Sequence, residues 1–243
     1  MGNLNLEFKF KISFLPKAHE AASGPIRMVT TSYRIPEEIQ ALMECPSSSV
    51  RFTFTDPVEA CLRLLLLGPL GADAWNLAFF PEEGELNDYC NGDRLKRIHA
   101  ALPQGAAALT CTLFFYEINR DEKGFNTGDG AIVVGGFFRA RARESTDAKV
   151  SFGTFPKVRF PPCNRGMDKV RLFMKALRHS QLEAIYRCFS RFNERGGAVV
   201  MLQTGTPLYL ARAVILAIYA DFPAAAKTTL TALDACSVSF QKN

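Results

Sequence analysis

The chain has 243 residues, 48% hydrophobic and 22% charged, a composition ordinary for a globular protein that buries a substantial core. Its apolar runs fall short of the roughly 18 residues that a membrane helix needs, and its first residues lack the layout of a secretory signal, so neither a membrane span nor secretion is predicted. Its seven cysteines are scattered and form no CxxC pair, which predicts reduced thiols in an intracellular protein rather than a structural zinc site.

The net charge of +5 is unevenly distributed along the chain. Residues 139–195 contain 14 Lys/Arg and 5 Asp/Glu, a local charge of +9, which leaves −4 for the rest of the sequence. This asymmetry favours a basic face that could meet a polyanion. An ordinary solvated helix surface beside a basic loop explains it equally well, because charge alone carries no information about a partner's sequence.

The first 55 residues predict one strand, a linker and a short helix. Residues 4–14 alternate between apolar and polar, as a half-buried strand at a sheet edge does. Residues 15–35 are polar and interrupted by Pro and Gly, which predicts a loop or linker. Residues 35–43 are compatible with a short helix that has Pro36 in its first turn.

The start of a helix is marked clearly at Asp56. Asp56 can cap the helix, Pro57 suits its first position, and Glu59 has the spacing of a capping box. Residues 94–102 predict a second helix, short and basic, which a proline ends. We therefore expect a helical lead-in over residues 56–107.

Three short apolar runs follow, each rich in β-branched and aromatic residues and bounded by turn-forming residues, as buried strands are. They are residues 109–116, 131–138 and 149–156. A long amphipathic helix over about residues 167–195 and a fourth strand at 198–202 come next. Thr206 and Pro207 then open a run that is apolar almost all round, which predicts a final buried helix.

Three meandering strands, a helical crossover and another strand follow the order of an RNase H-like core. We expect the three runs to pair in sequence order and the fourth to join their sheet. The predicted fold is therefore α/β, a mixed sheet with flanking helices, plus an N-terminal α/β extension. The predicted divisions are an N-terminal strand and linker, the helical lead-in, a truncated RNase H-like core and a tail: residues 1–55, 56–107, 108–235 and 236–243.

The candidate functional residues are one acid and six basic side chains. A core of this kind carries a metal-binding acid at the end of its first strand, where Glu117 stands. A solvated strand-end carboxylate without a function is the alternative for Glu117. The candidates for contact with DNA phosphates lie before and on the long helix: Arg139, Arg141, Arg143, Arg171, Lys175 and Arg178.

Several segments between residues 56 and 231 follow one another in a recognisable order. They are Asp56-Pro-Val-Glu-Ala-Cys-Leu-Arg-Leu-Leu, Phe80-Pro-Glu82, Leu102-Pro-Gln-Gly-Ala106, the run at 149–156, and Arg212 with Ile215-Leu-Ala-Ile-Tyr-Ala-Asp-Phe-Pro223. In this order and spacing, the chain resembles the Plavaka-type transposases of fungal DNA transposons, which are relatives of the CACTA-type enzymes. The resemblance implies an RNase H-like fold, DNA as the partner, no small-molecule substrate and a nuclear location.

The resemblance breaks down at the catalytic acids. Transposases of this kind use carboxylates to hold two divalent metals. The family's first acid falls on Glu117, without its usual neighbours, and the second falls on Thr204, which cannot supply the charge. The cysteine-rich segment expected after the last helix is reduced to Cys236. No cofactor is therefore expected, and Mg²⁺ or Mn²⁺ would bind only if the site were active.

These observations predict a transposon-derived protein that is catalytically inactive and whose basic face could still bind DNA. Two alternatives stay open. One is a non-catalytic nucleic-acid-binding module that reuses the basic face. The other is a protein-interaction or remnant domain without a substrate.

Overall fold

One mixed sheet of seven strands organises the protein. The computed structural model describes residues 27–70, 92–104, 106–117, 128–201 and 208–220. The strands follow one another across the sheet in the order β1-β2-β5-β4-β3-β7-β6. They are β1 (Met28–Arg34), β2 (Ser49–Thr55), β3 (Ala106–Glu117), β4 (Gly128–Gly135), β5 (Lys149–Pro156), β6 (Ala198–Met201) and β7 (Leu208–Ala220).

Helices cover both faces of this sheet. They are α1 (Glu37–Gln40), α2 (Pro57–Leu67), α3 (Asp93–Ala101), α4 (Ala140–Arg143), α5 (Pro162–Arg165) and α6 (Asp168–Glu194). Helices α2 and α6 share the main core with Leu109 of β3, whereas Leu95 of α3 packs against Ala108. Because neighbouring residues of a strand point to opposite faces, α3 lies on the other side of the sheet. Within the described ranges, no helix has the length and apolarity to cross a membrane.

The central strands pair as the sequence predicts. Strands β3 and β4 are antiparallel, with Glu117 opposite Asp129, and β4 and β5 are antiparallel, with Gly128 opposite Pro156. The fourth predicted strand, β6, belongs to the same sheet. The prediction that the four runs lie in one sheet, with the first three paired in sequence order, is therefore confirmed. Among the described strands, β6 lies at the edge of the sheet and pairs with β7.

The predicted last helix is wrong, because residues 208–220 form strand β7. This strand lies parallel to β3 on one side and antiparallel to β6 on the other. Strand β7 has neighbours on both sides and contributes buried residues to both faces, Ala211 and Ala213 to the main core and Leu216 to the cluster with Leu95. Such a strand is a nearly continuous apolar run, and periodicity alone cannot separate that run from a buried helix. The predicted helix start at Thr206 and Pro207 lies outside the described residues.

The N-terminal region contains more strand than the sequence predicts. Part of the predicted linker forms β1, which pairs with β2 over seven residues, and β2 joins β5 where Phe54 meets Gly153. Strand β1 is rich in Thr and Ser, and Thr30 and Thr53 hydrogen-bond across the hairpin at 3.0 Å. Because many of its side chains are polar, the sequence of β1 does not show the alternation of apolar and polar residues that indicates a strand. The predicted helix at 35–43 is present as the shorter α1, and the predicted strand at 4–14 lies outside the described residues.

Contacts cross the predicted boundaries after residues 55 and 107. Strand β2 is hydrogen-bonded to β5, and α2 packs on β4, β5 and α6. The predicted divisions after residues 55, 107 and 235 stay predictions.

Phenylalanines fill the main core between the sheet and helices α2 and α6. The Phe52 ring stacks on those of Phe54 and Phe155, each at a centroid distance of 4.6 Å. A Cβ at Gly153 would lie 2.7 Å from the Cβ of Phe54, closer than side chains tolerate. The junction between β2 and β5 therefore requires glycine at this position.

The cysteines of the described part are free thiols that divide by burial. Cys61, Cys111 and Cys188 are buried in the main core, and Cys45 and Cys163 are exposed. Burial raises the pKa of the Cys111 thiol well above its ordinary value and that of Cys188 to about 12. The three buried thiols therefore act as small apolar side chains.

Asp56 fixes the start of α2. Its Oδ1 accepts hydrogen bonds from the N–H groups of Val58 (2.9 Å) and Glu59 (3.4 Å), and its Oδ2 lies 3.4 Å from Arg27. Glu59 does not complete the predicted capping box, because its carboxylate accepts the N–H of Arg27 instead. The cap therefore also holds the chain that enters β1.

We expect Asp56→Ala to lower the free energy of unfolding by at least about 1–2 kcal/mol, the usual cost of losing a helix cap. The control is Asp93→Ala, which removes an acid from the first turn of α3 where no side chain caps the helix. Urea unfolding measures both variants. Equal losses would contradict the role given to Asp56.

Candidate nucleic-acid interface

Three neighbouring strands end or begin together at one end of the sheet, beside the predicted acid. Glu117 ends β3 and stands opposite Asp129 near the start of β4, and Phe155, just before the end of β5, is the partner of Asp129 on its other side. We call this end of the sheet, defined by Glu117, Asp129 and Pro156, the acid end. Glu117 is described through its backbone alone.

Asp129 is the centre of a buried ion cluster at the acid end. The residue is only 5% exposed. Its Oδ1 lies 3.0 Å from Nζ of Lys157, just after β5, and its Oδ2 lies 3.6 Å from a terminal nitrogen of Arg178 in α6. One carboxylate thus connects β4, the exit of β5 and α6. We call these three residues the buried ion cluster.

Aromatic rings hold the Arg178 guanidinium in place. Its central carbon lies 4.3 Å from the ring centroid of Phe155 and 5.0 Å from that of Phe115, within cation–π range. Within the described part, none of its nitrogens has a hydrogen-bond partner. Burial lowers the pKa of Arg178, and the charges of Asp129 and Tyr186 raise it. An arginine stays protonated in proteins, so the cluster has two cations and one anion.

This arrangement does not fit the Mg²⁺ or Mn²⁺ pair that the family resemblance implies. A two-metal site needs carboxylates whose oxygens are available to the ions. Asp129 already faces two cations, which leave a net positive charge where a divalent ion would add two more. The described ranges contain no group of three or more His, Cys, Asp or Glu placed to hold a metal. Thr204, the predicted position of the second acid, lies outside them.

Arg178 does not belong to the exposed ridge that the sequence predicts. It is 6% exposed and lies in the core, whereas Arg171 and Lys175 are exposed. Arg178 stands four residues before Leu182 and seven before Ile185, both buried, so it continues the apolar face of α6. The spacing alone predicts a buried position for Arg178, whereas its charge suggests an exposed one.

Arg171 and Lys175 remain as an exposed pair on α6 near the acid end. The Arg171 side chain is 65% exposed and forms an ion pair with Asp168 one turn away. Lys175 lies about one turn before Arg178, which contacts Asp129. We call Arg171 and Lys175 the basic ridge.

The other predicted basic residues lie at the opposite end of the sheet. Arg139, Arg141 and Arg143 follow β4, and Arg143 donates hydrogen bonds to the carbonyls of Phe138 and Gly136. Strand β4 places seven residue steps, about 23 Å at roughly 3.3 Å each, between the two ends. The six predicted residues therefore do not form one face. Arg139 and Arg141 are exposed, and we call them the distal arginines.

The acid end contains further basic residues that are not among the six predicted phosphate contacts. Lys157, Arg159 and Arg165 follow β5 in a proline-rich segment, and Lys169 is exposed in the first turn of α6. Arg165 donates to the carbonyl of Phe160 at 2.8 Å and lies 3.6 Å from the Glu44 carboxylate. The acid end is thus the more basic of the two ends, and the density of Lys and Arg after residue 156 was the available signal.

Comparison with known proteins adds no family: no protein-family model, no curated protein and no solved structure matches the chain.

We expect Arg178→Gln to destabilise the protein by about 2–3 kcal/mol, because it removes a buried guanidinium from the rings of Phe115 and Phe155 and from Asp129. Asp129 keeps Lys157 as its partner, so no charge is left uncompensated. The matched control is Arg171→Gln, which makes the same change on the same helix. Its exposed ion pair should contribute no more than about 1 kcal/mol. Urea unfolding of both variants checks this, and similar losses would show that Arg178 does not hold the core.

Proposed function

We propose that the chain is a transposon-derived, RNase H-like protein that does not cleave DNA and that binds nucleic acid at the acid end. The buried ion cluster carries this proposal. The carboxylate beside the first-acid position of the resembled family is paired with two cations, so it is not available to metal ions. Every other observation bears on the fold or on binding.

The order of the sheet supports the RNase H-like part of the proposal. Strands β3, β4 and β5 form an antiparallel meander, α6 crosses over, and β7 returns parallel to β3 on its other side. A parallel return next to the first strand requires a crossover of this kind. One feature differs, because β6, the first strand after the crossover, lies outside β7 at the sheet edge.

The distribution of charge supports nucleic-acid binding. The basic ridge stands beside Lys157, Arg159, Arg165 and Lys169, so several cations meet at one end of the sheet. Cations of this kind contact phosphates, and their contribution does not depend on base sequence. We therefore propose weak, sequence-tolerant binding to the nucleic-acid backbone.

A protein-interaction domain is the second candidate function, and one observation favours it. Phe114 and Tyr219 are neighbours in register on β3 and β7, and both are exposed among the described residues. Exposed aromatic patches mark surfaces that contact other proteins. Binding to DNA separates the two candidates, because this patch has no charge with which to bind phosphates.

We expect no divalent-metal-dependent cleavage by the purified chain, because the Asp129 carboxylate is matched by Lys157 and Arg178. The assay is nicking of supercoiled DNA with Mg²⁺ or Mn²⁺, and Glu117→Gln is the control. Nicking by the parent that is absent from Glu117→Gln would show a working site and would refute the loss of catalysis.

We expect binding to duplex DNA to weaken with salt, with a log K against log salt slope of about −0.9 for each phosphate neutralised. Replacing both residues of the basic ridge with Gln should make the slope less steep by roughly 1.8, because two contacts are lost. Binding to all sequences should weaken alike. Fluorescence anisotropy over a series of salt concentrations measures the slope.

The matched control for this experiment is the replacement of both distal arginines with Gln, which removes the same charge from the other end of the sheet. Its slope should equal that of the parent. Equal effects of the two double variants would mean that net charge, not a located interface, attracts the DNA. A parent slope near zero would favour the protein-interaction candidate.

A further inference from the structure

A cleft opens beside the acid end, between the chain that leaves β5 and the start of α6. Its volume is about 240 Å³. The cleft is smaller than a pocket that encloses a whole drug-sized ligand, and it has room for one phosphate-sized polar group together with part of the organic body attached to it.

The lining of the cleft combines cations with an apolar wall. Three basic residues come from the segment after β5 and from α5, and four apolar residues complete the surface. The lining residues are Lys157, Val158, Arg159, Phe160, Arg165, Val170 and Met174. No Asp or Glu is among them. Such a surface attracts an anion and at the same time offers contact to an apolar group.

Carboxylates that pair with Lys157 and with Arg165 approach from outside the lining. Lys157 is paired with Asp129 of the buried ion cluster, and Arg165 lies 3.6 Å from Glu44. The Arg165 and Glu44 side chains are both more than a third exposed, so their pair is weak and readily exchanged. Arg165 can therefore turn to an anion without a large loss of stability.

The cations of the cleft can act together on one anion. Two guanidinium groups and one ammonium group line a space with an apolar wall. A phosphate dianion is the anion that uses several such donors together.

We propose that this cleft binds a phosphate monoester attached to an apolar or aromatic body, the chemical class of the mononucleotides. The phosphate contacts Arg159, Arg165 and Lys157, and the organic part packs against Val158 and Met174. The inference shares Lys157, Arg159 and Arg165 with the proposed nucleic-acid surface and deepens that proposal, because it names a ligand, a terminal phosphate monoester, that the backbone of duplex DNA does not offer. The ligand could be a free nucleotide or the phosphorylated end of a nucleic-acid strand.

The first test compares three probes by titration calorimetry on the full chain at low salt. The probes are adenosine monophosphate, adenosine and inorganic phosphate. Adenosine monophosphate should bind at least about tenfold more tightly than either of the others, because it alone uses both the cations and the apolar wall. Absence of binding, or equal affinity for inorganic phosphate, would overturn the proposal.

The second test locates the site with matched variants. Arg159→Gln should weaken binding of adenosine monophosphate about tenfold, which corresponds to a charge-assisted hydrogen bond. Arg187→Gln makes the same change at an exposed position of α6, thirteen residues beyond Met174, and should leave the affinity unchanged. Equal weakening by both variants would show general attraction to a basic surface and would overturn the assignment.

A third variant keeps the test valid if Arg159→Gln does not fold. Met174→Glu places a negative charge at the half-buried wall and should abolish binding of adenosine monophosphate, with folding checked by thermal unfolding. Binding that survives a folded Met174→Glu protein would place the ligand elsewhere and contradict the proposal.

A last comparison distinguishes the two sources of the ligand. A short oligothymidylate is titrated with and without a 5′-phosphate. Tighter binding of the phosphorylated strand, by about tenfold, would identify strand ends as ligands. Binding of adenosine monophosphate without this difference would identify a free nucleotide. Duplex DNA without terminal phosphates tests the basic ridge separately, so the failure of either proposal is recognised independently of the other.

Discussion

The attraction between Asp129 and two cations is the constraint on which the acid end depends. A carboxylate removed from water is costly unless opposite charges approach it closely. Here one charge comes from the chain that leaves β5 and the other from the middle of α6. Without the carboxylate, an ammonium and a guanidinium group would face each other in the core. The rotation of α6 about its axis and the path of the chain after Pro156 therefore both follow from one acid on β4.

The same constraint explains why the basic ridge is smaller than the sequence predicts. Arg171 and Arg178 are seven residues apart and share one face of α6, yet one is exposed and the other is buried. The face is the same, but the surroundings change along the helix. At Arg178 it meets Asp129 and the rings of Phe115 and Phe155, whereas at Arg171 it meets solvent and Asp168. Helical periodicity gives the phase of a residue but not what lies opposite it.

Sequence patterns predicted the elements that short-range interactions determine. They failed for the element whose structure depends on pairing with a strand distant in sequence. The cap at Asp56 and the long helix α6 follow from short-range spacing, and both are present. So is the meander of β3, β4 and β5, whose runs are short and bounded by turns. The run of β7 is different, because its apolar residues suit a buried helix as well as a buried strand. Only pairing with β3, about a hundred residues earlier, selects the strand. The segment after β5 was overlooked for a related reason, since nothing in its sequence shows that α6 turns back beside it.

The buried ion cluster also limits how this protein can change during evolution. Buried ions can be replaced by well-packed apolar residues with little loss, but the loss of Asp129 alone would leave the charges of Lys157 and Arg178 uncompensated. Where position 129 loses its acid in related sequences, positions 157 and 178 should therefore change as well, and Phe115 and Phe155 should remain aromatic wherever Arg178 is kept.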